Sequence, residues 1–179
     1  MIKKFIKQHP VHRKIVPIFD NLFLLRPTLF FPVWVMVTAG MTASIMNISR
    51  YQVWLHEIDI YTLALFIGIT MTSGSTFIIN QIMDVDGDAL NNKLFLVGQF
   101  ISVEKAKKIM YFTLIGGGIL LIISGINNFI IGALVFLFWG YLYNIEPFHW
   151  KQKPILGMIT NTIAGFLLYA SGWVHVTVS

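Results

Sequence analysis

From Ile60 to Ile79 the chain runs without a single charged residue. That is long enough, as a helix, to cross a bilayer, for which about 20 apolar residues suffice. Comparable stretches run approximately from Leu29 to Ile48, Ile58 to Met83, Ile109 to Ile126, Phe129 to Tyr143 and Ile155 to Val176. Charged residues make up 12% of the 179 residues and hydrophobic ones 56%, whereas a soluble domain carries roughly a quarter charged residues. These runs predict an integral membrane protein, an all-α polytopic helical bundle with about five transmembrane helices.

The second run ends in Asn80-Gln81-Ile82-Met83-Asp84-Val85-Asp86-Gly87-Asp88-Ala89-Leu90-Asn91-Asn92-Lys93. Carboxylates packed this densely against a membrane span are expensive and mark a functional site. At about 100° per residue, Asn80, Asp84, Asp88 and Asn91 fall at roughly 0°, 40°, 80° and 20°, with Asp86 at roughly 240°. If the helix continues past the membrane edge, the first four share one face, a face of oxygen ligands for a hard cation. Magnesium takes one or two carboxylates plus substrate phosphate oxygens, so Asp84 and Asp88, one turn apart, suggest a magnesium–diphosphate site with Asn80 and Asn91 supplying amide contacts. Three other readings compete. A calcium loop needs Gly at its sixth position and Glu at its twelfth, and Ala89 and Phe95 stand there. A CDP-alcohol phosphotransferase pattern starts at Asp86-Gly87 but is not completed by Leu90-Asn91. A solvated polar cap on a transmembrane helix does not require the amides Asn80 and Gln81 below the carboxylates.

The absence of Cys excludes disulfides, thiolate metal sites and a Cys nucleophile. His9, His12, His56, His149 and His175 show no metal-ligand spacing. The net charge of +5 does not indicate nucleic acid, because the basic residues cluster between the apolar runs. All thirteen Lys and Arg except Arg50 fall on one side of the expected spans. The positive-inside rule then places the N-terminus, the Asp-rich segment and the 144–154 loop in the cytoplasm, and the C-terminus outside. Lys93, Lys151 and Lys153 share that side and are placed to neutralise a diphosphate; the alternative for each is a topology signal or a contact to membrane lipid. Within the basic segment 1–27, Ile15, Ile18, Phe19, Leu22 and Phe23 recur at helical spacing, as expected of an amphipathic interfacial helix. Ser102 is expected to cap a short basic helix through Lys105, Lys107 and Lys108, ahead of the third span. A turn is expected at Asn127-Asn128, and Gly116-Gly117-Gly118 suits close helix packing.

The segment Asn80-Gln81-Ile82-Met83-Asp84-Val85-Asp86-Gly87-Asp88 resembles the first motif of the UbiA superfamily of intramembrane prenyltransferases, Asn-(Asp/Gln)-x-x-Asp-x-x-x-Asp, and Asn91 also fits. A second resemblance is Tyr143-Asn144-Ile145-Glu146-Pro147 followed by Lys151, Lys153, Asn161 and Gly165. A third is the entry segment Arg26-Pro27-Thr28-Leu29-Phe30-Phe31-Pro32, similar to chlorophyll-synthase-like members. Leu94-Phe95-Leu96-Val97 stands before Gly98 where many members carry Arg-Pro.

The resemblance implies a Mg2+-dependent prenyltransferase that moves a polyprenyl group from a polyprenyl diphosphate to a lipophilic aromatic or hydroxyl acceptor. It makes Asp84 and Asp88 metal-binding and catalytic residues, with Tyr143 catalytic through its ring. Arg26, Asn80, Asn91, Lys93, Lys151, Lys153 and Asn161 become substrate-binding residues. The chain reads as one domain over 1–179, the bundle occupying 28–179. Family members carry about nine spans and a second Asp-rich motif; this sequence holds about five and one. Three explanations are open: the front part of a longer enzyme, a half completed by a second polypeptide or by a homo-oligomer, or a non-catalytic isoprenoid- or quinone-binding protein.

Overall fold

The computed structural model describes residues 10–48, 59–92 and 96–178; Lys93 and Arg50 lie outside them. The described residues form an all-α bundle without a named strand. Helix α1 covers Pro10–Leu24, α2 Phe30–Ile48, α3 Ile60–Met83, α4 Val85–Leu90, α5 Val103–Ser124, α6 Ile126–Val135 and α7 Pro154–Val178. A π-helical stretch, Phe136–Leu142, continues α6. Each start has a local cause. Asp59 caps α3 by accepting from Thr62 N at 2.7 Å, Ser102 caps α5, and Pro154 opens α7, where its missing N–H costs nothing.

Four stretches are long and apolar enough to cross a membrane: Val16–Asn47, which includes the turn at Leu25–Arg26, then Ile60–Met83, Val103–Ser124 and Pro154–Thr177. The fourth expected span is shorter, Ile126–Leu142. Two local expectations are corrected. Ser102 caps no separate basic helix, because α5 runs unbroken from Val103 into the span. The turn after α5 falls at Gly125 instead of Asn127-Asn128, since Gly125 takes φ 138°, a conformation that side chains rarely adopt.

Helices α3 and α5 pack together, as do α2 and α7. Between apolar helices in lipid, close van der Waals approach replaces the hydrophobic drive, and small residues permit it. A Cβ on Gly40 of α2 would lie 1.9 Å from Tyr169 O, and one on Gly172 of α7 would lie 2.0 Å from Val37 O. Of the glycine triplet, Gly116 and Gly117 meet α3, the first at the Met71 side chain and the second with Thr72 Oγ1 2.7 Å and Gly68 O 2.9 Å from its would-be Cβ. The central core joins Val33, Val37, Leu65, Ile69, Leu121, Val135 and Leu168.

A second core sits at one end of the bundle. Leu24 of α1, Ile78 of α3, and Leu96, Val97 and Ile101 pack there with Ala106 and Met110 of α5. The chain before α5 folds into this core by a tight turn, Gly98 N donating to Ile101 O at 2.9 Å with φ 86° at Gly98. Helix α1 is pinned to the same end, while Ile18, Phe19, Leu22 and Phe23 stand exposed along it. That is the pattern of a helix whose apolar face meets lipid.

Candidate functional site

At the end of α3 the helix breaks for one residue and resumes. Asp84 is both the C-cap of α3 and the N-cap of α4, with φ −90° and ψ −6°. The four-residue bonding rhythm survives the break: Asp84 N donates to Asn80 O at 3.1 Å, Asp88 N to Asp84 O at 2.8 Å and Asn91 N to Gly87 O at 3.2 Å. The helix therefore continues through the motif much as the spacing requires, and Asp84 and Asp88 remain one turn apart.

Asp84 reaches across the bundle. Its Oδ1 accepts from Lys151 Nζ in an ion pair, the lysine 13% and the aspartate 38% exposed. Lys151 Nζ also lies 3.5 Å from Asn144 Oδ1, and the same oxygen accepts from Asn80 Nδ2 at 2.7 Å. Asn144, 1% exposed, donates from Nδ2 to Trp139 O at 2.9 Å and Gly140 O at 3.0 Å. The Trp139 indole in turn donates to Asn161 Oδ1 at 2.7 Å and meets Phe77 edge-on at 5.5 Å. One continuous network thus runs from Asp84 through Lys151, Asn80, Asn144 and Trp139 to Asn161, linking the polar segment after α3 to the connection between α6 and α7.

Other residues selected from the sequence stand outside that network. Asp88 is half-buried, and its carboxylate has no hydrogen bond or ion pair among the described residues. Asn91 is exposed and turns its amide back to Gly87 O at 2.8 Å. Arg26 is exposed in the left-handed turn before Pro27, and Lys153 is exposed; neither pairs with an acidic group among the described residues. Tyr143 is half-buried, its ring beside Gly157 of α7. The expectation for Lys93 falls outside the described residues.

Residues 34–179 match the model of the UbiA prenyltransferase family. The chain belongs to that family. Comparison with curated proteins and with solved structures gives no match. UbiA proteins are membrane prenyltransferases that act in general on a prenyl diphosphate and a lipophilic acceptor, and they generally use Mg2+. With its apolar helices, this UbiA chain is an integral membrane protein.

Two residues of the UbiA chain have roles that the sequence alone does not assign. Asn144 lies in the Tyr143–Pro147 segment with no expected function, yet it joins the two halves of the network. Gln81, 8% exposed, points away from that network: its Nε2 donates to Leu24 O at 2.8 Å and Phe77 O at 3.1 Å. It satisfies a carbonyl that the end of α1 leaves without a helical partner. An amide beside a carboxylate motif was the available signal for Gln81. For Asn144 it was a carboxamide in the connection following an aromatic-rich run.

Proposed function

We propose that the chain binds a polyprenyl diphosphate at the Asp84–Lys151 end and transfers the prenyl group to a lipophilic acceptor bearing an aromatic ring or a hydroxyl. The observation that carries this reading is the ion pair joining Asp84 to Lys151. It gathers an acidic group for cations and a basic group for phosphate into one place. No group of three or more His, Cys, Asp or Glu among the described residues is placed to hold a metal ion together. A dedicated all-protein metal cage is therefore not what these residues offer. Two carboxylates one turn apart fit Mg2+, which completes its shell with water and phosphate oxygens. Asp84 and Asp88 would hold it, and when bound it supplies positive charge at the leaving diphosphate.

In this reading, Lys151 donates to a diphosphate oxygen, and Asn80, with one amide N–H engaged by Asn144, offers its second N–H to the same group. Arg26, Lys93, Lys153 and Asn91 are outer contacts to the diphosphate. The carbon–oxygen bond breaks with its electron pair leaving on the diphosphate. The allylic cation is captured by the acceptor's ring carbon or hydroxyl oxygen, which then releases its proton. Tyr143 offers a ring face to the cation, and Asn161 lines the acceptor side. The Asp-rich end faces the cytoplasm, by the distribution of basic residues. A second reading is an isoprenoid- or quinone-binding protein without turnover, or a half-site completed by another chain or copy; the Asp84–Lys151 pair, in which each charge already has a partner, suits binding as well as catalysis.

The test is binding of geranylgeranyl diphosphate to the purified full chain with Mg2+ and with EDTA, followed by transfer to a phenolic acceptor. Binding that requires Mg2+ and disappears in the Asp84→Asn, Asp88→Asn double variant is expected. Equal affinity in the double variant ends the metal role. Metal-dependent binding without transfer selects the second reading.

A further inference from the structure

Between α6 and the 3-10 turn at Trp150, the chain does something costly. Phe136–Leu142 widens into a π-helix, and the Tyr143 N–H reaches back five residues to Phe138 O. Such stretches are rare and concentrate at functional sites. The carbonyls of Trp139 and Gly140 are held by a side chain, that of Asn144. With both amide hydrogens directed into the widened turn, Asn144 is left with its Oδ1 facing the opposite way, onto Asn80 Nδ2 at 2.7 Å and Lys151 Nζ at 3.5 Å. A buried carboxamide has only these donors and this acceptor, so the arrangement fixes its orientation.

We propose that Asn144 is a positioning residue: it locks the π-helical turn with its amide and uses the resulting orientation of Oδ1 to hold Lys151 and Asn80 at the diphosphate end. This rests on the function proposed above for that end. The π-helical turn thereby acquires a purpose. The Trp139 carbonyl and the Lys151 ammonium answer to one side chain, so the aromatic wall formed by Trp139 and Phe77 keeps a fixed placement relative to the charged head of the site. Lys151 then meets an incoming anion already aimed, with Asn144 Oδ1 as a second, neutral partner when Asp84 is engaged elsewhere.

The experiment uses the full chain in detergent and two readouts. The first is the rate of amine acetylation at Lys151 without ligand, measured by mass spectrometry and normalised to the exposed neighbour Lys153. The second is affinity for geranylgeranyl diphosphate with Mg2+. Asn144→Leu removes both donors and the acceptor; Asn144→Asp removes the donors but keeps an acceptor beside Lys151. Expected is a several-fold rise in Lys151 acetylation in Asn144→Leu, with affinity falling about tenfold. Asn144→Asp is expected to keep Lys151 protected, because either oxygen of a carboxylate can face the ammonium without an amide to orient it. An unchanged acetylation ratio in Asn144→Leu overturns the proposal, and so does an equal rise in both variants, which would make the residue a brace for the turn alone. If Asn144→Leu does not fold, Asn144→Ser, whose hydroxyl is too short to span both groups, takes its place under the same criteria. If the unaltered chain binds no prenyl diphosphate, the proposed function fails, and the acetylation ratio still decides the role of Asn144.

Discussion

The two ends of the bundle are both polar, and they are built differently. At the end away from Asp84, His175, 3% exposed, lies 3.0 Å from Thr62 Oγ1 and 3.3 Å from Ser124 Oγ. Asn128 Nδ2 donates to Ser124 Oγ at 2.9 Å and lies 3.4 Å from the His175 ring. These side chains come from α3, α5, α6 and α7, so the cluster ties helix ends to one another. At the Asp84 end the amide network carries an ion pair, Asp84 with Lys151, Asp84 and Asp88 are incompletely covered, and Asp88 has no protein partner among the described residues. Polar groups that bind chiefly one another serve the fold, even with Asn128 Oδ1 left buried and unpartnered among the described residues. Polar groups left with unspent charge at the rim of an apolar bundle are where the proposed function puts the diphosphate.

That contrast is broken most directly by exchanging what each end is asked to do. The largest effect is expected for Asp84→Asn with Asp88→Asn: at least about a hundredfold loss of Mg2+-dependent prenyl diphosphate affinity, or about 2.7 kcal/mol. The unfolding midpoint in mixed micelles should barely move. An ion pair this close to solvent contributes roughly 0–1 kcal/mol, and the carboxamide that replaces the Asp84 carboxylate still offers an oxygen to Lys151. His175→Leu should give the mirror image, a loss of about 1–3 kcal/mol of stability from leaving Thr62 and Ser124 without their ring partner, with affinity for the diphosphate within about twofold of the unaltered chain. A His175 variant that folds normally but loses diphosphate binding would collapse the distinction between the ends.

The next effect separates two lysines that the sequence presents alike. Lys151→Met should weaken prenyl diphosphate binding about tenfold, the scale of one charge-assisted hydrogen bond. Lys153→Met, which removes an exposed lysine with no acidic partner among the described residues, should change it by less than about threefold, the scale of a screened surface charge. Titration of both variants with the same ligand at two salt concentrations checks this. Equal losses would mean that charge density, and not the Asp84–Lys151 geometry, attracts the anion.

What the chain disclosed beforehand follows from which forces are local. The apolar runs fix helices by length alone, so α2, α3, α5 and α7 lie close to where hydropathy places them. The spacing of Asn80, Asp84 and Asp88 survives because a one-residue break at Asp84 keeps the i to i−4 bonds on either side. Long-range pairing is less legible. Lys151 and Lys153 are two residues apart with the same chemistry, and only tertiary packing decides that the first meets Asp84. Nothing local in Phe136–Leu142 distinguishes a π-helix from an α-helix, since the widened turn depends on where the Asn144 side chain finds its bonds. The alternation of roles within Asn80-Gln81 was hidden for a similar reason: adjacent helical positions face about 100° apart, and the partner of Gln81 is a backbone carbonyl 57 residues away.

Gln81 supplies the smallest and most discriminating prediction. It sits inside the Asp-rich motif, yet it behaves like a residue of the opposite end, buried and spent on carbonyls. Gln81→Leu fits the apolar surroundings of Leu24 and Ile78 but leaves Leu24 O without its donor, a cost of about 1 kcal/mol. Because that carbonyl ends α1, the change should appear there first, as faster amide hydrogen exchange over Pro10–Leu24 with little change in α3 or α5. Diphosphate affinity should fall by less than about threefold, a change below about 0.7 kcal/mol. If Gln81→Leu instead matched the double aspartate variant in lost affinity while α1 kept its protection, Gln81 would have to reach the ligand itself. The motif would then act as one unit, without its division into a face for the diphosphate and a face for the fold.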